Sequence, residues 1–150
     1  MGTRARTRKK TLPAGKPAAG EFRAALERAL ALADSDERVG PVIAATRLRL
    51  RFVFPDVGLV LNLAAGADPD HNLRWSFDEV DWSPQLELEM DSETGNRFLQ
   101  GTESLAIAIA HGRARAKGGS HRTLLALPAT RLLVEPYRQV VTREHPTLVA

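Results

Sequence analysis

The chain has 150 residues, of which 43% are hydrophobic and 26% are charged, and it contains no cysteine. This composition is ordinary for a single soluble domain that is large enough to bury a core without disulfides. The lack of cysteine excludes a disulfide scaffold and thiolate chemistry and suits the cytoplasm, and no apolar run reaches the roughly 18 residues of a membrane span.

A basic tail is predicted at residues 1–19, ahead of a folded domain at residues 20–150. Residues 1–20 hold six basic and no acidic side chains, whereas the remainder holds 15 basic and 18 acidic residues. The tail's Gly, Pro, Ala and Thr content is typical of a disordered segment. We interpret it as a solubilising tail; transient contact with acidic lipid, nucleic acid or protein partners is the alternative. Arginine outnumbers lysine 17 to 4, which indicates a GC-rich bacterial genome.

An amphipathic helix opens the predicted domain. In EFRAALERALALAD, Phe22, Leu26 and Leu30 recur at helical spacing and form one apolar stripe. Ser35 is a candidate N-cap for a second short helix, which contains Pro41 near its start.

Five strands follow, recognised by apolar residues that alternate with polar ones. They are TRLRLRFVF, LVLNLAA, LRWSF, QLELEMD and RARAK. Short turns link the first three, which predicts antiparallel pairing. The longer link before the fifth strand allows the fourth and fifth to be parallel. That link contains two short predicted helices, one capped by Asp91 or Ser92 and ended near Gly101, the other in SLAIAIAH.

Two further helices are predicted after the fifth strand. Ser120 is a candidate N-cap for the first, which Pro128 is expected to interrupt, and Pro136 is expected to bend the second. Together these elements predict an α+β fold, with a five-stranded mixed sheet and helices packed on one of its faces.

The run LELEMDSETGNRFLQGTESLAIAIAHGRARAKGG, residues 86–119, resembles the sterol carrier protein family of non-specific lipid-transfer domains. The similar features are an alternating strand, a polar turn, two short helices and a strand of the form Gly-basic-x-basic-x-basic-Gly. The resemblance covers about residues 20–143 and is to bacterial members. It implies that the first strand lies beside the fourth and the fourth beside the fifth. It also implies an apolar cavity that holds a fatty acid, an acyl chain or a sterol-like lipid for transport, without a cofactor.

Apolar side chains on the inner strand faces and the C-terminal helix are the predicted ligand contacts. Ala114 and Ala116 are the most informative, because small residues on a strand leave space for a ligand. The alternative is that alanine lets a helix pack closely on the sheet. The predicted set is Leu48, Leu50, Leu61, Trp75, Phe77, Leu86, Leu88, Phe98, Ala114, Ala116, Leu133 and Tyr137.

Basic residues on the outer face of the sheet have two interpretations. Six cations share this face: Arg47, Arg49, Arg51, Arg113, Arg115 and Lys117. In the strand order that the resemblance implies, Glu87 and Glu89 lie between them, so charge pairs across strands account for them. The excess positive charge leaves contact with an anionic headgroup open. The lack of interleaved aromatic residues argues against nucleic acid.

An enzyme, or a biosynthetic accessory with acid/base chemistry, is the alternative to a carrier. The sequence shows no zinc-ligand spacing, nucleotide-binding glycine pattern or serine elbow, so no metal is expected. The weak catalytic candidates are Asp78, Glu79, Asp81 and Tyr137, because a carboxylate buried against an indole has a raised pKa. The other interpretation is that the carboxylates are solvated loop residues and that Tyr137 packs within a helix.

Overall fold

The structure, a computed structural model, describes residues 15–150, with the backbone alone at positions 120, 122 and 125. Its strands are β1 (Arg49–Phe54), β2 (Leu59–Asp68), β3 (His71–Ser76), β4 (Leu86–Met90) and β5 (Ala114–Lys117). Its α-helices are α1 (Ala19–Ser35), α2 (Val39–Thr46), α3 (Ser92–Leu99), α4 (Leu105–Ala110), α5 (Ser120–Thr130) and α6 (Val134–Glu144). Single 3₁₀ turns occur at Pro55–Val57, Arg131–Leu133 and Pro146–Leu148.

Most of the predicted basic tail lies outside the described residues. The first helix begins at Ala19, beside the predicted start of the domain at residue 20. The disorder of the tail and its contacts stay predictions. None of the helices between residues 15 and 150 is both long and apolar enough to cross a lipid bilayer.

The sheet is mixed, with the spatial order β3-β2-β1-β4-β5. The pairs β1–β2 and β2–β3 are antiparallel, which confirms the predicted meander, and β1 lies parallel to β4. The expectation that β4 and β5 could be parallel is wrong, because Met90 at the end of β4 pairs with Ala114 at the start of β5. The helices α3 and α4 are short, so the chain returns to the end of the sheet that it left.

Helices cover the inner face of the sheet. Leu50, Phe52 and Phe54 alternate along β1 and are buried beneath them. The predicted stripe of α1 packs on this face, where the Phe22 ring meets the Phe54 ring edge-on with 5.0 Å between centroids. The main core therefore lies between the sheet and α1, with α6 packed beside α1.

The crossover from β3 to β4, residues 77–85, contacts the outer face of the sheet at Asp78 and Trp82. Asn62 Nδ2 donates a hydrogen bond of 3.0 Å to the carbonyl oxygen of Asp78. The Arg74 guanidinium lies 5.4 Å from the ring centroid of Trp82, a cation–π contact. The crossover accounts for the burial of Asn62, which points away from the helices.

Capping confirms one predicted helix start and corrects another. Asp91 is the N-cap of α3, where its carboxylate accepts a hydrogen bond of 2.7 Å from the Thr94 N–H. Ser35 does not cap α2, because it is the last residue of α1. The N-cap position of α2 is Arg38, which makes no side-chain capping bond. Asp36 Oδ1 instead accepts hydrogen bonds of 2.8 Å from the N–H groups of Val39 and Arg38, which lower the pKa of Asp36.

The two C-terminal helices also differ from the prediction. The N-cap position of α5 is Gly119, and Ser120 is its first helical residue. The helix continues through Pro128 to Thr130, so the proline does not interrupt it. Pro136 lies in the first turn of α6, where its missing N–H breaks no intrahelical hydrogen bond and no bend is needed.

Candidate apolar ligand site

Two small apolar cavities lie between the sheet and the helices. The Tyr137 cavity has a volume of about 20 Å³ and is lined by Leu26, Ala29, Leu30, Phe52, Phe54, Leu61, Leu99, Leu133 and Tyr137. The Ile43 cavity has a volume of about 30 Å³ and is lined by Ile43, Thr46, Leu48, Leu50, Leu63, Ala65, Leu73, Ala129, Thr130, Leu132 and Leu133. Each has room for about one or two water-sized groups.

The two cavities lie over neighbouring positions of the β1–β2 ladder. Phe52 pairs with Leu61 below the Tyr137 cavity, and Leu50 pairs with Leu63 below the Ile43 cavity. Two residues along a strand span roughly 7 Å, which is therefore the separation of the two positions. Leu133 lines both cavities and lies between them.

A larger space, the lateral groove, opens between α4 and the α5–α6 junction, which we define as residues 127–134. Its volume of about 570 Å³ falls in the typical range of small-molecule sites, roughly 300–1,000 Å³. Its walls are Phe98, Gly101, Glu103, Ser104, Leu105, Ala106, Leu127, Pro128, Thr130, Arg131, Val134 and Glu135. Because Thr130 also lines the Ile43 cavity, the α5–α6 junction borders all three spaces.

Apolar surface continues from the lateral groove into solvent along α5. Leu127 and Pro128 form part of the groove wall, and Leu124 lies three and four residues before them on the same helical face. Leu124 is 68% exposed, which is a high exposure for a large apolar side chain. One side of the groove therefore has an apolar, solvent-accessible rim.

Glu103 of the groove wall belongs to a charge cluster. Arg97 Nε donates to the Glu103 carboxylate at 2.8 Å, Arg113 pairs with the same carboxylate, and Arg97 also meets Glu93 at 2.6 Å. Burial raises the pKa of Glu103, but the hydrogen bonds from Arg97 and Arg113 together hold it below its ordinary value. These ion pairs link α3, through Glu93 and Arg97, to Glu103 just before α4 and to Arg113 just before β5.

The Tyr137 side chain lines the cavity that is named after it. Its hydroxyl takes part in a buried hydrogen-bond network. The hydroxyl donates a hydrogen bond of 2.7 Å to Asn96 Oδ1, which also accepts one of 2.9 Å from Gln100 Nε2. Asn96 Nδ2 in turn donates to the carbonyl oxygen of Leu148 at 2.8 Å. Burial, together with the charge of Glu21, raises the pKa of Tyr137 far above its ordinary value. The phenol therefore stays protonated and holds α6 against α3.

The three carboxylates considered for acid/base chemistry lie away from the cavities. Asp78, Glu79 and Asp81 are exposed residues of the β3–β4 crossover, which lies on the outer face of the sheet. The backbone N–H of Asp78 donates to Ser76 Oγ at 3.0 Å, a local turn contact. This placement agrees with solvated loop residues, and a catalytic role for them stays a prediction.

Six of the predicted ligand contacts line one of the three spaces. Leu48 and Leu50 line the Ile43 cavity, Leu61 and Tyr137 line the Tyr137 cavity, Leu133 lines both, and Phe98 lines the lateral groove. The other predicted contacts, which are absent from the described walls of these spaces, are Trp75, Phe77, Leu86, Leu88, Ala114 and Ala116.

The two alanines of β5 lie where a helix packs on the sheet. Ala114 pairs with Met90 and Ala116 with Leu88, and α4 packs on β5. Ala114 is buried, which agrees with small side chains that allow the helix to approach. Contact between these alanines and a ligand stays a prediction.

Sequence reasoning missed the lateral groove and much of the cavity lining. Ile43, Leu63 and Leu73 line the Ile43 cavity. Their apolar character was visible, but nothing in the sequence distinguishes them from ordinary core residues. The groove forms where α4 and the α5–α6 junction do not pack against each other. Such a gap depends on tertiary packing and leaves no local pattern in the sequence.

Charge pairs on the outer face confirm the predicted interpretation of the basic strands. Glu87 lies 3.6 Å from both Arg51 and Lys117, and Glu89 lies 3.2 Å from Arg115. Exposed pairs of this kind contribute little to stability, about 0–1 kcal/mol each. They nevertheless provide a partner for these three cations.

Two predicted members of the outer-face group lie outside the strands. Arg47 precedes β1 and takes a left-handed conformation, with φ of 52°, at the end of α2. Arg113 precedes β5 and pairs with Glu103. The strands are shorter than their alternating patterns predicted, because α2 and α4 end directly beside them.

No protein-family model matches the chain, and no curated protein is significantly similar in sequence. Among solved structures, a conserved hypothetical protein of Thermus thermophilus, described as a possible sterol carrier protein, aligns with a TM-score of 0.57 and 19% identity, covering 85% of this chain and 92% of that one. The sterol carrier protein domain 2 of Helicoverpa armigera aligns with a TM-score of 0.57 and 12% identity, over 83% and 96%. UbiJ-SCP2, a ubiquinone synthesis protein, aligns with a TM-score of 0.53 and 10% identity, over 79% and 94%.

Part of a larger protein is also similar. The sec-alkylsulfatase Pisa1 from Pseudomonas sp. aligns with a TM-score of 0.50 and 15% identity over 65% of this chain, which spans only 15% of the sulfatase. At these identities the shared property is the fold. This chain has the fold of a sterol carrier protein domain, as the resemblance at residues 86–119 implied.

Proposed function

We propose that this protein binds a hydrophobic ligand, such as a fatty acid, a fatty acyl chain or a sterol-like lipid, and carries it. One observation carries the proposal: a groove of about 570 Å³ with apolar and polar walls adjoins two inner apolar cavities, and the α5–α6 junction borders all three spaces. The sterol carrier fold supports the same interpretation.

Burial of apolar surface would provide the binding free energy, at roughly 25 cal/mol for each Å² removed from water. The apolar part of a ligand would lie along Phe98 and Leu127 in the lateral groove and extend beneath the α5–α6 junction. Ser104, Thr130 and Arg131 also line the groove and would meet a polar head. A few polar groups in an apolar site are the usual means of orienting a ligand.

Displacement of a fluorescent fatty acid tests this site. Ala106 is an exposed residue of α4 in the groove wall, so Ala106→Trp should fill the groove without disturbing the core. We expect it to weaken fatty acid binding by about tenfold or more, because roughly two methylene groups lose their apolar contact.

The matched control is Ala110→Trp, one turn further along α4, which is exposed and outside the described groove wall. It should bind like the wild type. Equal fatty acid affinities of the two tryptophan variants would show that the ligand binds outside the groove. A wild-type protein without saturable binding would contradict the proposed function.

A second candidate is an accessory that holds an apolar biosynthetic intermediate for an enzyme. It is supported by the fold shared with UbiJ-SCP2, a ubiquinone synthesis protein. Native mass spectrometry of the purified protein separates the two candidates. A mixture of common fatty acids would favour a carrier, whereas a single isoprenoid or aromatic intermediate would favour the accessory.

The proposed setting is the cytoplasm of a bacterium. The lack of cysteine and the excess of arginine over lysine support it. For the basic residues of the predicted tail we propose a solubilising role, with transient contact to acidic surfaces as the alternative.

A further inference from the structure

Among the described residues, Leu133 is the one that the walls of the two inner cavities share. It belongs to the 3₁₀ turn Arg131–Leu133, between α5 and α6, and lines both the Tyr137 cavity and the Ile43 cavity. The cavities lie over neighbouring ladder positions roughly 7 Å apart. A chain that runs through both cavities must pass the space that the Leu133 side chain fills.

We propose that Leu133 is a specificity-determining residue that divides the inner apolar space and thereby limits the length of the chain that the protein accepts. The inference rests on the proposed function and adds the chemical class of the inner segment, an unbranched alkyl chain. Each cavity has room for about one or two water-sized groups, so a fused ring system is too wide for either.

The position of Leu133 in the chain suits this role. A 3₁₀ turn has poorer hydrogen-bond geometry than an α-helix, so its side chains are repositioned at lower cost. Leu133 is half-buried, so its side chain reaches both the cavities and the protein surface. A chain whose end enters one cavity leaves Leu133 in place, whereas a chain that runs on into the other cavity must displace it.

The neighbouring residue Leu132 provides a matched control. It is also half-buried and belongs to the same turn, but it lines the Ile43 cavity and not the Tyr137 cavity. Leu132→Ala therefore enlarges one cavity, whereas Leu133→Ala joins the two. The same number of atoms is removed from adjacent positions, so a difference between the variants reports on the division of the space.

Competition of decanoic and hexadecanoic acid against a fluorescent fatty acid tests the proposal. Leu133→Ala should raise the preference for hexadecanoic over decanoic acid by about tenfold or more, the effect of burying roughly two further methylene groups. Leu132→Ala, which enlarges one cavity without joining the two, should shift the ratio less than Leu133→Ala does, and equal shifts in the two variants would overturn the proposal. Binding of hexadecanoic acid by Leu133→Ala but not by the wild type would also support the division.

The outcomes separate the two proposals. Binding with the same length ratio in the wild type, Leu132→Ala and Leu133→Ala would overturn the role of Leu133 while leaving the proposed function intact. A lack of binding of either acid by all three proteins would contradict both. If Leu133→Ala does not fold, Leu133→Phe decides: it should lower the preference for hexadecanoic acid, and an unchanged ratio would overturn the proposal.

Discussion

The two ends of the helix layer are built on different principles. At the end formed by α1 and α6, Phe22, Tyr137 and Leu148 are almost completely buried, and the buried side chain of Asn96 accepts two hydrogen bonds and donates one. At the end formed by α4 and α5, Leu124 is 68% exposed beside the lateral groove. Regions with many buried contacts are locally more stable than regions with few. The first end therefore holds the fold together, and the second is the end at which we propose that a ligand binds.

The largest effect is expected at the α1–α6 end. Asn96→Ala removes the acceptor of the Tyr137 hydroxyl and leaves that buried group without its partner. The free energy of unfolding should fall by about 2–4 kcal/mol, since an unsatisfied buried group costs about 1–3 kcal/mol and a small cavity adds to it. Urea denaturation measures this change.

Repeating the unfolding measurement of Asn96→Ala in a Tyr137→Phe protein isolates the contribution of the tyrosine hydroxyl. In Tyr137→Phe there is no hydroxyl to leave unsatisfied, so Asn96→Ala should cost about 1 kcal/mol less there than in the wild type. Equal costs in the two backgrounds would show that the contact between Asn96 and Tyr137 does not hold the two helices together.

An intermediate effect is expected where the charge cluster meets the groove. Glu103→Gln should lower the free energy of unfolding at neutral pH by about 1–2 kcal/mol, because Arg97 and Arg113 lose a charged acceptor. The pKa of Glu103 is held below its ordinary value of 4.5 in the folded protein. Its stabilising contribution is therefore present above that pH and is lost as the pH falls through the lower folded value.

The difference in the free energy of unfolding between the wild type and Glu103→Gln should accordingly shrink as the pH falls below 4.5. Glu135→Gln is the control, because Glu135 is an exposed carboxylate of the same groove. Urea midpoints at several pH values measure both variants. A constant difference across the acid range would mean that Glu103 does not stabilise the fold through its charge.

The smallest effect is expected at the exposed end of the groove. Leu124→Ser should change the free energy of unfolding by less than about 0.5 kcal/mol, because the side chain is already 68% exposed. The same substitution at buried Leu26 of α1 should cost about 3 kcal/mol or more. Thermal or urea denaturation of the two variants compares the ends directly, and similar losses would remove the distinction between them.

The fold could be predicted where a local pattern decides the structure. Alternation in TRLRLRFVF and QLELEMD specified which residues are buried, and the stripe of Phe22, Leu26 and Leu30 specified the inner face of α1. The direction of β5 relative to β4 depends on where α3 and α4 turn back. Chain length permits either direction, so the parallel pairing was a wrong expectation with a tertiary cause.

The candidate site was less predictable than the fold. Leu61, Leu133 and Tyr137 were recognised because they lie on apolar faces that a sheet and a helix share. Ala114 and Ala116 were expected to leave space, yet α4 packs on their strand. Residue volume along one strand does not specify what a distant segment places opposite it, so the groove appears only when the helices are assembled.

The α5–α6 junction has a kinetic consequence. A ligand that extends beneath residues 127–134, as we propose, would be released faster when this segment of eight residues moves away from the sheet. Its residence time would then follow the opening rate of the segment and would vary little with the depth of the apolar contact. Delivery to an acceptor would be timed by the same motion, so that a partner that loosens the junction would accelerate release without competing for the ligand.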